Sequence, residues 1–257
     1  MTGEFSTGWL SLREPADADA RAGELLDPLR TALQGRSGLV VRDLGCGTGS
    51  LGRWLAPQLS GPQRWVMEDR DPALLAYAAE HMPVADGISV ETRLGDVTAL
   101  TAADLAGTDL ITCSALLDIL TQPGIEALAA ACAGARCAAL LTLSVTGQVT
   151  LSPADPLDDE IEAAFNAHQR RGGLLGPDAG EAARRAFEAA GARVTVAASP
   201  WRLGPDRAEL ITEWLAGWLG AAGEQRPDLP VDAYRSPRRG SDLAVTVGHT
   251  DLLAIFD

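Results

Sequence analysis

Lysine is absent: all 21 basic residues among the 257 are arginine. A phosphate loop of the form G-x-x-x-x-G-K-[S/T] is therefore excluded, because its lysine is what reaches the phosphates. Positive charge is scarce altogether. Against 35 acidic residues the net charge is −14, which argues against nucleic acid as a partner, since gripping a phosphate backbone requires a basic face. The four cysteines, Cys46, Cys113, Cys132 and Cys137, form no C-x-x-C pair and have no Cys/His spacing suited to a metal. Free buried thiols in a reducing cytosol, and no metal, are expected. No apolar run approaches the roughly 20 residues of a membrane span. The start, Met1-Thr2-Gly3-Glu4-Phe5, lacks the basic-then-apolar order of a secretory leader. A cytoplasmic protein making no membrane contact is the expectation.

What the chain has is a hydrophobic content of 46%, enough for a sizeable core in one domain spanning 1–257. It also has glycine at alternate positions in one place. Leu39, Val40 and Val41 read as a short buried strand, followed by Asp43 and then Gly45-Cys46-Gly47-Thr48-Gly49. Leu51, Trp54 and Leu55 next fall on one face of a helix. Glycine admits backbone angles that other residues avoid, and lets a ligand lie against the main chain. The helix start beyond it offers unpaired N–H groups and partial positive charge. The turn suits a ligand with polar or anionic groups. A dinucleotide fingerprint has the spacing G-x-G-x-x-G; here it is G-x-G-x-G.

Further strands are read at 64–69, 88–92, 109–113, 138–144, 192–198 and 243–249, with helices near 71–78, 124–135 and 178–190. Strand and helix alternating in this way imply parallel βαβ units with ligands at the strands' carboxyl ends. Three stretches break the rhythm. In 1–36 a helix is expected to start at Pro15, with Pro28 a possible break, and this segment is placed to cover the cavity mouth with Arg13 towards it. Residues 145–180 contain a helix ending near Arg171. Residues 201–240 contain an amphipathic helix, 201–225, then a loop. The last two are expected to cap the site as substrate-side insertions.

The glycine turn with its preceding acid resembles motif I of the class I S-adenosylmethionine-dependent methyltransferases, and the likeness covers about 39–145 well. It implies a Rossmann-like, doubly wound α/β fold: a mostly parallel seven-stranded sheet with helical cap insertions, using S-adenosyl-L-methionine (SAM) as cofactor. Asp43, Gly45, Cys46, Gly47 and Gly49 would form the cofactor turn. Asp69, with Arg70 beside it, stands where the family has the acid that binds both ribose hydroxyls; Glu68 competes by one residue, and strand alternation puts the two on opposite faces. Asp96 and Val97 of Gly95-Asp96-Val97 would meet the adenine amino group and a ring nitrogen. Cys113 or Ser114 would shape the wall near the sulfonium. The (Asn/Asp)-Pro-Pro-aromatic motif of nucleic-acid amino methyltransferases is missing there, and Asp118 either binds substrate or caps the next helix.

No residue declares itself as a base. His168 is the best-placed candidate, on the expected cap. Trp201, Trp214, Trp218 and Tyr234 either line a pocket for a planar substrate or pack as core. Arg13, Arg202, Arg235, Arg238 and Arg239 either meet a substrate anion or stay solvated. The function expected is methyl transfer to a small-molecule O, N or C nucleophile. RNA methylation and a non-catalytic SAM-binding role are the alternatives. No oligomeric state is implied.

Overall fold

A computed structural model describes residues 6–83, 87–97, 100–238 and 242–256. Met1 to Phe5 and Arg239 lie outside them. Five parallel strands form the centre: β1 (Leu39–Leu44), β2 (Gln63–Asp69), β3 (Ile88–Leu94), β4 (Leu110–Ser114) and β5 (Ala138–Ser152). Beyond β5 lie β6 (Arg193–Ala198), β7 (Trp201–Leu203) and β8 (Ala244–Ile255). The order is β3-β2-β1-β4-β5-β8-β6, with β7 also on β8, and β8 runs antiparallel to β5, β6 and β7. Chain order reverses between β1 and β4, and α/β sheets bind ligands at such a switch point. Register places Asp43 opposite both Met67 and Thr112, and Asp69 opposite Leu94, so three strand ends meet at one edge.

Helices cover both faces, which is why β1, β2 and β4 read as near-continuous buried runs. One core layer packs α5 (Gln122–Ala135) and α7 (Ala179–Ala189) on Ile111, Cys113 and Leu141. The other packs α2 (Leu26–Ala32), α3 (Ser50–Leu55) and α4 (Pro72–His81) on Val41, Trp65 and Met67. A third core belongs to a lobe built by α6 (Asp158–Gln169), α8 (Ala208–Gln225), α9 (Val231–Arg235) and the far halves of β5 and β8. Trp201, Leu215, Trp218 and Tyr234 are buried there, and Ala16 of α1 (Thr7–Ala20) joins them.

Among the described residues the sheet has eight strands rather than seven, and the difference lies in the lobe. Residues 145–152 continue β5, because residues 244–249 supply hydrogen-bonding partners across two register shifts. Residues 201–203 are extended against β8, so the long helix begins at Ala208 and not at 201. A short helix, α9, replaces part of the expected loop. At the other end α1 starts at Thr7, capped by the Ser6 hydroxyl, which accepts the Trp9 N–H at 3.1 Å. Pro15 is inside this helix rather than at its start. Pro28 falls in the first turn of α2, where no N–H is needed, and breaks nothing.

Candidate active site

The turn after β1 carries its glycines at positive φ: +61° at Gly45, +54° at Gly47 and +83° at Gly49. A Cβ at Gly45 would lie 2.9 Å from the Leu116 side chain, so sterics as well as angle demand glycine there. The turn is bound to the end of β2. Cys46 N–H donates to the Glu68 carbonyl at 2.9 Å, and Gly47 N–H donates to Asp69 Oδ2 at 2.9 Å. The other oxygen, Oδ1, accepts the Asp71 N–H at 3.0 Å. Each carboxylate oxygen accepts two hydrogen bonds, so Asp69 is fixed with capacity left on both. Glu68 turns the opposite way, into a buried ion pair with Arg42. Strand alternation thus sends Asp69 to the cavity and Glu68 away from it.

Asp43, one residue before the end of β1, is 1% exposed. Its Oδ1 accepts the Thr112 hydroxyl at 2.7 Å, and its Oδ2 has no partner. Burial pushes its carboxyl up to about 7, while the Thr112 bond and the Arg21 charge draw it back.

These groups face a cavity of about 710 Å³, a size that suits a cofactor or small ligand. Its walls are the glycine turn, Asp69 to Pro72, Gly95 to Val97, Ser114 to Leu116, and Ile119 with Leu120. Helix α1 supplies the roof with Leu10, Arg13 and Asp17. Arg13 binds Asp17 through Nε at 2.9 Å, and Asp17 also accepts the Trp201 indole N–H at 3.0 Å. Arg53 on α3 clasps Glu14 from below, Nε to Oε1 at 2.7 Å.

Arg21, just past α1, lies behind the cavity wall and was not singled out by the sequence. Its Nη2 donates to Ser50 Oγ at 3.2 Å and Ser114 Oγ at 3.5 Å, and both serines line the cavity. Its Nε and Nη1 are buried without partners. Burial draws the guanidinium below its ordinary value, and Asp17, Asp251 and Asp43 offset part of that. One arginine among 21 basic residues, outside any motif, carries no signal in the sequence.

Of the residues expected at the cofactor, Asp43, Gly45, Cys46, Gly47, Asp69, Arg70, Asp96, Val97 and Ser114 line the cavity. Gly49 stands behind them as the cap of α3. Cys113 does not reach the cavity: alternation along β4 points it into the core, fully buried. Of the expected substrate residues only Arg13 lines it. Trp201 stiffens the roof from behind, with the Arg13 guanidinium 4.9 Å from its ring centre. Tyr234 donates to Asp158 at 2.6 Å within the lobe. Arg202 lies on a separate shallow depression beside Thr150 and Ser152. His168 pairs with Glu224 at 3.2 Å on the outer side of α6. Among the described residues, 145–180 and 201–240 give the wall nothing; their apolar faces are spent on their own core, and α1 alone caps the cavity. All four cysteines are free and buried. Among the described residues no helix is long and apolar enough to cross a membrane, and no three His, Cys, Asp or Glu side chains gather as a metal site.

Residues 41–136 match the family model described as a methyltransferase domain. Over that stretch the chain carries a methyltransferase domain. The matched methyltransferase region runs from β1 through α5 and holds the glycine turn, Asp69, Asp96 and the β4 end; the α1 roof and the lobe fall outside it. By sequence, no curated protein matches. The methyltransferase fold is similar to that of the cyclopropane synthase MmaA2 of Mycobacterium tuberculosis: TM-score 0.54 at 14% identity, over 98% of this chain and 95% of that one. For the YcgJ protein of Bacillus subtilis the TM-score is 0.55 at 14% identity, over 91% and 99%. For phosphoethanolamine N-methyltransferase 2 of Haemonchus contortus it is 0.50 at 13% identity, over 99% and 59%.

Proposed function

We propose that this methyltransferase moves the methyl group of SAM to a small-molecule nucleophile held under the α1 roof. The observation that carries the reading is Asp69: a carboxylate fixed by two backbone N–H groups, with free acceptor capacity on both oxygens, beside a glycine turn. A vicinal diol such as the ribose of SAM uses that capacity. The orphaned nitrogens of Arg21 fit the carboxylate at the other end of the molecule, and the free oxygen of Asp43 fits its ammonium. Asp96 and Val97 would hold the adenine edge. Bound there, SAM supplies an electrophilic methyl group on a sulfonium.

The chain's own contribution is placement and exclusion of water. Ser114, at the end of β4, and Leu116 border the place where the methyl group would point. Leu10, Leu116 and Ile119 give that end an apolar wall. Holding the acceptor in line with the scissile bond supplies much of the acceleration such a reaction needs. The net charge of −14 and a roofed cavity favour a small molecule over RNA. Incubation of the protein with methyl-labelled SAM and a mixed cell extract tests this. Label in the low-molecular-weight fraction is expected; label confined to RNA or protein contradicts it.

A further inference from the structure

Arg13 brings a half-used guanidinium to the cavity. Leu10, Arg13 and Asp17 stand three and four residues apart on α1, so one face of that helix carries all three into the roof. Asp17 takes one edge of the guanidinium. Nε donates to Oδ2 at 2.9 Å and to Oδ1 at 3.2 Å, and Nη2 donates to Oδ1 at 3.1 Å. A guanidinium carries its N–H groups in a planar fork, and a second edge remains between Nη1 and the other N–H of Nη2. Nη1 has no hydrogen-bond partner among the described residues, and it is not one of the polar atoms sealed from solvent. The side chain is 12% exposed, and the opening it borders is the cavity.

The group is also held still. Its central carbon lies 4.9 Å from the Trp201 ring centre and 5.9 Å from that of Trp9. Asp17 is anchored in turn by the Trp201 indole. Such preorganisation cuts the ordering cost of binding. Trp201 belongs to β7, on β8 and beyond β5 from the glycine turn, whereas Asp69 ends β2. Arg13 therefore serves the end of the cavity away from Asp69. Of the lining residues only Arg13 and Arg70 are basic, and Arg70 adjoins Asp69. The more distant charges are mixed. Asp118, which stands in the turn 117–119 while Thr121 caps α5, feels Arg13, and so does Arg21. Burial pushes His249 down to about 3, so it is neutral.

We propose that the free edge of Arg13 recognises the methyl acceptor, and that the acceptor is a small carboxylic acid with an apolar body. This rests on the methyltransferase reading above. The two oxygens of a carboxylate match the two N–H groups of that edge. An ammonium finds no acceptor on a guanidinium. The apolar body lies against Leu10, Leu116, Ile119 and Leu120, all on the cavity wall. Arg13 holds one end of the acceptor, so that its nucleophile meets the methyl group in line, and takes no part in the bond changes.

The test uses two bodies, each with three heads: 3-phenylpropionate, 3-phenylpropionamide and phenethylamine, then octanoate, octanamide and heptylamine. Each is titrated calorimetrically into protein saturated with S-adenosylhomocysteine. At least one carboxylate should bind saturably, roughly tenfold or more tighter than its amide, and tighter still than its amine. Arg13→Gln should abolish that margin. Arg13→Lys keeps a cation beside Asp17, which guards against a misfolded roof, and should also lose most of the margin, because an ammonium lacks the fork. S-adenosylhomocysteine and methylthioadenosine should bind wild type and both variants alike. No saturable carboxylate binding, an amide or amine that binds as well, or a margin that survives in either variant would each overturn the proposal. So would an Arg13→Gln protein that loses S-adenosylhomocysteine but keeps methylthioadenosine, because the free edge would then serve the cofactor's own carboxylate. Failure of S-adenosylhomocysteine to bind wild-type protein is a different result. It removes the methyltransferase reading, and the same titrations into ligand-free protein still decide the role of Arg13.

Discussion

Asp69 Oδ2 accepts the Gly47 N–H at 2.9 Å, joining the end of β2 to the middle of the glycine turn. One carboxylate thereby sets the turn and faces the cavity. Its neighbour Glu68 faces Arg42 in the interior. The two acids should separate cleanly by mutation. Asp69→Ala should weaken SAM by about 1.5–3 kcal/mol, the range for a hydrogen bond to a charged group. Glu68→Gln should leave affinity alone and cost about 3–5 kcal/mol of stability, because it strands the buried Arg42 charge. Calorimetry and urea unfolding read the two effects.

Arg21 has two buried nitrogens without partners, which the proposed function pairs with the carboxylate of the cofactor. Arg21→Met should lower S-adenosylhomocysteine affinity by about 1.5–3 kcal/mol. Stability should fall, since the buried Asp43 and Asp251 lose a nearby positive charge and Ser50 and Ser114 lose a donor. Methylthioadenosine, which has the adenosine and thioether but no amino acid, should bind both proteins alike. Asp69→Ala should weaken both ligands, so the ligand pair distinguishes the ends of the cavity.

The roof hangs on Asp17, which accepts from both Arg13 and the Trp201 indole at 4% exposure. Asp17→Asn should destabilise by about 3–5 kcal/mol and quicken cofactor release in stopped-flow measurements. His168→Ala should change neither affinity nor turnover and should stay within about 0.5 kcal/mol of wild-type stability, because its partner is Glu224 on the outer side of α6.

Two buried groups give opposing pH dependences. Asp43 ionises at about 7 when folded against 3.8 ordinarily. A raised carboxyl contributes most below the unfolded value, and stability falls as pH climbs from about 4 to about 7; Asp118, pushed up to about 6, acts in the same direction. His249 is pushed down from 6.5 to about 3, chiefly by burial. Its contribution is complete above 6.5 and is lost as pH falls towards 3. Asp43→Asn should flatten the fall between pH 4 and 7 in a urea-unfolding series and leave the acid limb to His249.

The central sheet was legible because periodicity and strand-end chemistry agree there: a buried run, an acid and glycines leave few alternatives for 39–49. Alternation put Asp69 and Glu68 on opposite faces, and in the structure Asp69 lines the cavity while Glu68 pairs with Arg42 in the interior. It carried the answer for Cys113 too, one residue before Ser114 and facing the core, but the likeness to known motifs named both residues. The lobe was harder to read because its signals are non-local. Residues 145–152 are strand only because 244–249 pair with them, about a hundred positions away. Trp201 and Tyr234 look like pocket aromatics by type, yet each donates its polar hydrogen to an acid away from the cavity floor, the buried Asp17 and the half-buried Asp158. Arg21 gave no warning, since nothing near it in sequence shows that Ser50 and Ser114 will converge on it.

One titration bears most directly on all of this: SAM and S-adenosylhomocysteine, each into the wild-type protein by calorimetry, followed by competition between them. One site per chain, shared by both ligands and also open to methylthioadenosine, is the predicted result. Absence of binding by either ligand, or binding that survives Asp69→Ala and Arg21→Met undiminished, would contradict the assignment of this cavity.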